Sequence, residues 1–251
     1  MNWALLAAAG VLGGLTGSIA GLASVATYPA LLLVGLPPVT ANVTNTVALV
    51  FNGVGSVLGS RPELAGQGAW LRRIAPVAAV GGAVGAALLL STPAQGFERV
   101  VPILLGLASV AILLPRTTRQ EARVADHQRH TVKVLLEAAT IFAICIYGGY
   151  FGAAAGVLLL AMLLRTGGAT LAHANAGKNV ILGIANSVAA LIFAIVAPVN
   201  WPAVIAVGAG CLIGSRLGPV VVRHAPAGPI RVVIGVAGLV LAINLGFDAY
   251  G

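Results

Sequence analysis

Long apolar runs separated by short polar breaks extend along the whole chain. The first four runs cover residues 3–36, 41–59, 69–90 and 97–114, and the next four cover residues 132–164, 174–197, 201–222 and 229–245. A helix needs roughly 20 apolar residues to cross a hydrocarbon layer of about 30 Å. A transmembrane β-barrel would instead show short segments in which polar and apolar residues alternate. The pattern therefore predicts an all-α, polytopic bundle of eight to ten transmembrane helical segments.

The composition supports a bundle that faces lipid. Hydrophobic residues make up 59% of the chain, charged residues only 8%, and the mean hydropathy is +1.02. A soluble domain carries charges at about 25% of its positions. We found no zincin helix, nucleophile elbow or phosphate-binding loop. The sequence thus predicts a protein of the lipid bilayer that is not an enzyme, with no catalytic residue, no cofactor and no metal site.

A polar stretch in the middle divides the chain into two parts. We predict a first transmembrane repeat at residues 1–115, a basic linker at 116–132 and a second transmembrane repeat at 133–251. Basic loops remain on the cytoplasmic side of a membrane. The linker is therefore expected in the cytoplasm and the protein in the bacterial inner (plasma) membrane. The same rule accounts for the net charge of +8, so we expect no nucleic-acid partner.

The two parts repeat one pattern of glycine and asparagine residues. The first part contains Gly13, Gly17, Gly21, Asn42, Asn45, Asn52, Gly81 and Gly85, and the second contains Gly148, Gly152, Gly156, Asn175, Asn179, Asn186, Gly210 and Gly214 in the same order. So many ordered matches at nearly constant spacing indicate a duplication. The fold is therefore predicted to consist of two homologous repeats.

The first run of each repeat is too long for one straight span. About 34 residues of helix would measure about 51 Å, well beyond the hydrocarbon layer. A helix break is therefore expected at Gly17 and Gly21, and again at Gly152 and Gly156. If each long run crosses once, the repeats lie parallel; if each crosses twice, the second repeat is inverted. The distribution of basic residues favours inversion, because it leaves the arginines on the linker side.

Eight polar residues inside the apolar runs are candidates for substrate binding. They are Asn42, Thr44, Asn45 and Asn52 in the first repeat, and Asn175, Lys178, Asn179 and Asn186 in the second. Amides in hydrocarbon must find partners, so they either join helices together or line a polar site. Asn42 and Asn175 also suit N-caps, where a helix can bind an anion. Lys178 either belongs to this site or extends towards the membrane surface.

Two segments carry a resemblance to a known family. The stretch YPALLLVGLPPVTANVTNTVAL and its counterpart GGYFGAAAGVLLLAMLLRTGGATLAHANAGKNVIL resemble the TauE/SafE sulfite exporter family. The resemblance implies a secondary transporter that exports a small anion, sulfite or an organosulfonate, by alternating access around a site between the repeats. A proton or sodium ion could be coupled, and the oligomeric state is undetermined. The chain departs from the family's glycine-rich pattern at Ala20, Ala23 and Ala153 to Ala155, which leaves open how sharp the helix break is and whether sulfite is the substrate.

Two alternative functions from other classes of membrane protein remain open. A membrane thiol-redox carrier would need a reactive cysteine pair, and Cys145 and Cys211 lack the spacing of one. A non-transporting membrane scaffold would use the asparagines for stability alone.

Overall fold

The computed structural model describes residues 2–93, 127–153, 155–166 and 170–224, together with scattered helical positions between 96 and 113 and between 232 and 250. All regular structure in these residues is helical. Residues 114–126, most of the predicted linker, lie outside the described part, as do most of the predicted runs 97–114 and 229–245. The last residues of the predicted linker are helical, because a helix begins at His127.

Nine helices have defined bounds. They are α1 (Trp3–Ala20), α2 (Ala23–Leu33), α3 (Pro38–Gly59), α4 (Arg61–Leu64), α5 (Gly68–Ser91), α6 (His127–Tyr150), α7 (Ala155–Thr166), α8 (Leu171–Val196) and α9 (Trp201–His224). Four of them are long and apolar enough to cross a membrane, namely α1, α5, α8 and the stretch Trp201–Arg223 of α9. Three shorter apolar helices lie at Ala23–Leu33, Val134–Tyr150 and Ala155–Leu164. The chain is therefore a multi-pass membrane protein of helical architecture, as predicted.

The central helices α3 and α8 run in opposite directions. The chain that follows α3 meets the start of α8, where Gln67 Nε2 donates to the His173 carbonyl at 3.1 Å. The chain that follows α8 meets the start of α3, where the Asn200 amide donates to Thr44 Oγ1 at 3.0 Å. We call the first of these regions, formed by residues 60–73, 170–173 and 223, the arginine end. The second, where α1, α3 and α9 begin, is the neutral end.

Small residues hold the remaining long helices against this central pair. Helices α1 and α9 run parallel and so close that a Cβ on Gly10 would lie 2.4 Å from the Val207 oxygen. Helices α5 and α6 make the corresponding contact, where a Cβ on Gly149 would lie 2.4 Å from the Gly82 oxygen. Glycines allow helix backbones to approach in this way. Since α1 packs on a helix of the second half and α6 on a helix of the first, the two halves interlock.

Two helical hairpins meet inside the bundle. The chain reverses between α1 and α2 at Gly21 (φ +80°) and between α6 and α7 near Gly152 (φ +74°). Gly21 and Gly156 bring the two tips together, since a Cβ on Gly21 would lie 2.2 Å from the Gly156 Cα. Helix α2 has 11 residues, which measure about 16 Å, or half of a hydrocarbon layer. Helix α2 is therefore too short to cross the layer by itself, and the tips meet inside the bundle.

The predicted N-caps at Asn42 and Asn175 are wrong. Helix α3 begins at Pro38, whose fixed φ suits the first helical position, and α8 begins at Leu171. Thr170 is the N-cap of α8, because its hydroxyl accepts from the His173 amide at 3.3 Å. Both asparagines therefore lie one turn inside their helices, where their side chains are buried.

Candidate functional site

A small polar cavity lies where the two hairpin tips meet the central helices. Its volume is about 30 Å³. Its lining includes Gly17, Gly21, Asn52, Gly152, Lys178, Asn179 and Asn186, all of them among the residues singled out in the sequence, together with Ala23, Leu49, Gly53, Leu182 and Gly183. We call it the central cavity. Four of the eight predicted side chains line it, and they come from both halves of the chain.

Lys178 is the one ionisable residue among the described residues that line the central cavity. Its side chain is fully buried, and its ammonium donates to the carbonyl oxygens of Gly17 at 3.1 Å and Ser18 at 3.3 Å. These carbonyls belong to the last turn of α1, where the helix dipole is negative and favours a cation. In the part of the chain that the structure describes, no carboxylate lies within ion-pair distance of this ammonium. The cation is thus held by neutral groups only.

The polar face of α8 caps the end of α1. In addition to Lys178, the Ser18 carbonyl accepts from Asn175 Nδ2 at 2.9 Å and Asn179 Nδ2 at 3.4 Å. The last carbonyls of a helix lack partners within the helix, so side-chain donors from a neighbour stabilise a terminus in a dry interior. Asn175 therefore serves as a helix cap and does not line the central cavity.

Three predicted residues of α3 bond elsewhere too. Asn42 Nδ2 donates to the Tyr150 carbonyl at 3.0 Å, at the end of α6, as Asn175 does at the end of α1. Thr44 accepts from Asn200. Asn45 accepts from the Thr27 hydroxyl at 2.6 Å and donates to Ser24 Oγ at 3.0 Å. Gly156 likewise contacts the opposite tip and lies outside the cavity lining. Asn42, Thr44 and Asn45 therefore join helices together, which is the first of the two roles considered for these polar residues.

The amide of Asn52 provides an unused polar group in the central cavity. Its Oδ1 is buried without a hydrogen-bond partner. The oxygen and nitrogen of an amide exchange places by a half turn, so this side chain can offer either an acceptor or donors to an occupant. Together with Asn179, Asn186 and the Lys178 ammonium, it gives the cavity a set of donors suited to an oxyanion.

The cavity is small in this conformation. A water needs roughly 10–15 Å³ of such space, so about 30 Å³ accommodates two or three waters. A sulfur oxyanion of four or more heavy atoms is larger than that. An anion of that size would fit only if the helices around the cavity separated, for example at the contact between the hairpin tips.

An ion pair joins the two halves at the arginine end. The Arg223 guanidinium donates through Nε to Glu63 Oε1 and through Nη2 to Oε2 at 2.9 Å, and Nη2 also reaches the Gly59 carbonyl at 2.7 Å. The hydrogen bonds from Arg223 hold the pKa of Glu63 below its ordinary value, against the opposing effect of burial. The sequence gives no local signal of this contact, because the two residues lie 160 positions apart.

Both cysteines are buried and free, in separate apolar clusters. Cys145 packs beside Gly81, and Cys211 packs beside Gly14. Thiols buried among apolar side chains are inert packing groups.

Comparison with known proteins places the chain among membrane transporters. The family described as "Sulfite exporter TauE/SafE" matches residues 6–245. The probable membrane transporter protein YfcA of Escherichia coli (strain K12) is 27% identical over 244 residues, which cover 96% of this chain and 88% of that protein. The probable membrane transporter protein ORF9 of a Sinorhizobium species is 26% identical over 246 residues, which cover 96% of this chain and 91% of that protein. No solved structure gives a significant match.

Proposed function

The chain belongs to the sulfite exporter TauE/SafE family, and from that membership we propose that it is a secondary transporter of a small anion. The substrate is sulfite or an organosulfonate, exported across the bacterial inner membrane. Binding takes place in the central cavity, around Lys178, Asn52, Asn179 and Asn186. The family is one of transporters and not of enzymes, so no covalent step is needed.

The observation that carries this proposal is the fully buried side chain of Lys178, whose amino group contacts the carbonyls of Gly17 and Ser18 beside the central cavity. Removing a charge from water costs several kcal/mol, and neutral carbonyls return only part of that cost. An anion that enters the cavity neutralises the ammonium, so the site favours anions over cations and neutral solutes. The neighbouring amides add directed donors that replace the water shell of an oxyanion.

Alternating access follows from an inverted pair of repeats, residues 1–115 and 133–251, joined by the linker at 116–132. The opposite directions of α3 and α8 and the two hairpins that enter from opposite ends support inversion. Rocking of one repeat against the other would separate the tips from each side in turn. The arginine end is the cytoplasmic one under the positive-inside rule, since Arg61, Arg72 and Arg73 lie there. A proton or a sodium ion supplies the coupling.

Uptake of radiolabelled sulfite into proteoliposomes tests the proposal. We expect saturable uptake that empty liposomes lack and that an excess of unlabelled methanesulfonate or sulfite reduces. Thr140→Val, a change at an exposed hydroxyl that bonds to the Leu136 carbonyl of its own helix, serves as the matched control and should transport like the parent. If folded protein gives no uptake of sulfite or of any sulfonate tried, the scaffold alternative is preferred.

A second experiment tests the thiol-redox alternative. The double variant Cys145→Ala/Cys211→Ala is expected to lose about 1–2 kcal/mol of stability, because each substitution leaves a small void in a packed interface. Its uptake should remain within about twofold of the parent, since neither thiol lines the cavity. Loss of uptake by a variant that still elutes as a folded monodisperse protein would contradict the inert packing role of the cysteines and support a redox role.

A further inference from the structure

The Glu63–Arg223 pair has the geometry of a bound oxyanion. Two nitrogens of the guanidinium face the two oxygens of the carboxylate, which is the bidentate arrangement that arginine forms with carboxylate and phosphate groups. The Glu63 side chain is 10% exposed, whereas Arg223 remains 29% exposed at the mouth of the bundle. The arginine is therefore reachable from water while its partner is covered.

We propose that the Arg223 guanidinium is a second binding site for the transported anion, which Glu63 occupies in this conformation and from which an arriving oxyanion displaces it. The ligand class is a small oxyanion with two oxygens able to face the guanidinium fork, such as a sulfonate or sulfite. This proposal takes the identity of the anion from the proposed function, but the site itself stands on the geometry of the ion pair.

The surroundings of the pair attract anions. Arg61, Arg72 and Arg73 are exposed at the same end, and Glu63 is the sole carboxylate among the described residues 60–73, 170–173 and 216–224. A mouth lined by charges of one sign raises the local concentration of counter-ions. The neutral end is different, because residues 2–59 and 179–215 contain no Asp, Glu, Lys or Arg. The two ends thus differ in their affinity for anions.

Displacement of Glu63 would also release the helix that covers the start of α8. Glu63 lies in α4, which packs against α8. Gln67 binds both the Glu63 carbonyl, at 2.7 Å, and the His173 carbonyl, at 3.1 Å. His173 precedes Lys178 by little more than one turn. An anion on Arg223 therefore loosens the contacts that hold α4 against the start of α8, the helix that carries Lys178.

Tryptophan fluorescence of the purified full-length protein tests the proposal without any transport. Trp70 reports on this end, because a Cβ on Gly177 would lie 3.1 Å from Gln67 Oε1 and 3.2 Å from the Trp70 ring. In a background that carries Trp3→Phe and Trp201→Phe, methanesulfonate is titrated at constant ionic strength, with chloride as the control anion. We expect Glu63→Gln to lower the half-saturating concentration about tenfold, because a neutral amide no longer competes for the guanidinium.

Adding Arg223→Gln to Glu63→Gln should abolish the gain, whereas adding Thr140→Val, at an exposed hydroxyl that bonds to the Leu136 carbonyl of its own helix, should leave it intact. Arg223→Lys should bind more weakly than the parent, because an ammonium lacks the fork. If Glu63→Gln does not fold, Glu63→Asp, whose shorter side chain weakens the pair, should lower the half-saturating concentration by a smaller factor. Equal titrations of the parent and the folded Glu63 variant, or a gain that persists without Arg223, would overturn the proposal. A protein that fails to transport sulfite can still pass this test.

Discussion

Lys178→Met is expected to reduce anion uptake to the level of empty liposomes while the protein remains folded. Met matches lysine in length and flexibility but removes the charge that the anion would neutralise. A hydrogen bond to a charged group is worth about 1.5–3 kcal/mol, which corresponds to a loss of affinity of about 10-fold to 150-fold. Uptake measured over a range of sulfite concentrations should therefore show a large rise in KM or no saturation.

The stability of the same variant separates a substrate site from a structural joint. Removing a buried ammonium that has no carboxylate partner should leave the melting temperature unchanged or raise it. The Ser18 carbonyl keeps Asn175 and Asn179 as donors, so α1 remains capped. Asn45→Ala provides the contrast, since Asn45 bonds to Ser24 and Thr27 outside the cavity and should lower stability by about 1–3 kcal/mol with an unchanged KM. Normal uptake by Lys178→Met would show that the ammonium is not part of the binding site.

Much of this architecture is readable from the sequence, because the membrane constrains composition and length. Runs of about 20 apolar residues have few alternatives to a spanning helix. A run too long for one crossing must bend, and glycine is where the bend costs least. Local composition alone therefore predicts that the protein is helical and that the chain breaks at Gly21 and near Gly152. Neither feature depends on how distant parts of the chain pack.

The sequence could not show which asparagines line the cavity and which cap the ends of other helices. Asn42 and Asn45 share a face of α3 with other polar residues, and nothing local distinguishes a helix cap from a cavity wall. The distinction depends on where the other half brings the ends of α1 and α6. Ser18, whose carbonyl accepts from three side chains of α8, gave no signal because the acceptor is backbone. The ion pair between Glu63 and Arg223 is hidden for the same reason, since only tertiary packing joins the residues.

The starts of α3 and α8 were predicted wrongly for a different reason. An asparagine that follows an alanine in front of an apolar run looks like an N-cap, and that motif led to wrong starts. Pro38 and Thr170, each one turn earlier, carry stronger physical signals, a fixed φ and a capping hydroxyl. The position of the helix start also decides what these asparagines can contact. Because the helices begin earlier, Asn42 and Asn175 are buried and available to cap the hairpins of the opposite half.

Gly21→Ala is expected to separate the hairpin tips and to abolish uptake. The added Cβ would lie 2.2 Å from the Gly156 Cα and 2.5 Å from its carbonyl carbon, and neither backbone atom can move aside as a flexible side chain could. The residue also has φ +80°, which costs an L-residue about 1–2 kcal/mol. Adding an overpacking cost of about 1–3 kcal/mol, we expect a total loss of about 3 kcal/mol. The melting temperature of the purified protein and its uptake measure the two consequences.

Gly35→Ala isolates the part of this effect that comes from the contact between the tips. Gly35 has a similar φ of +89°, but a Cβ there would meet nothing within 4 Å. Its substitution should therefore cost only the conformational part, about 1–2 kcal/mol, and leave uptake close to that of the parent. Gly156→Ala should resemble Gly21→Ala, since its Cβ would lie 2.3 Å from the Gly21 Cα although its own φ is not left-handed. If all three variants melted alike and transported alike, the tips would not be in contact, and the cavity between them could not be the place where access alternates.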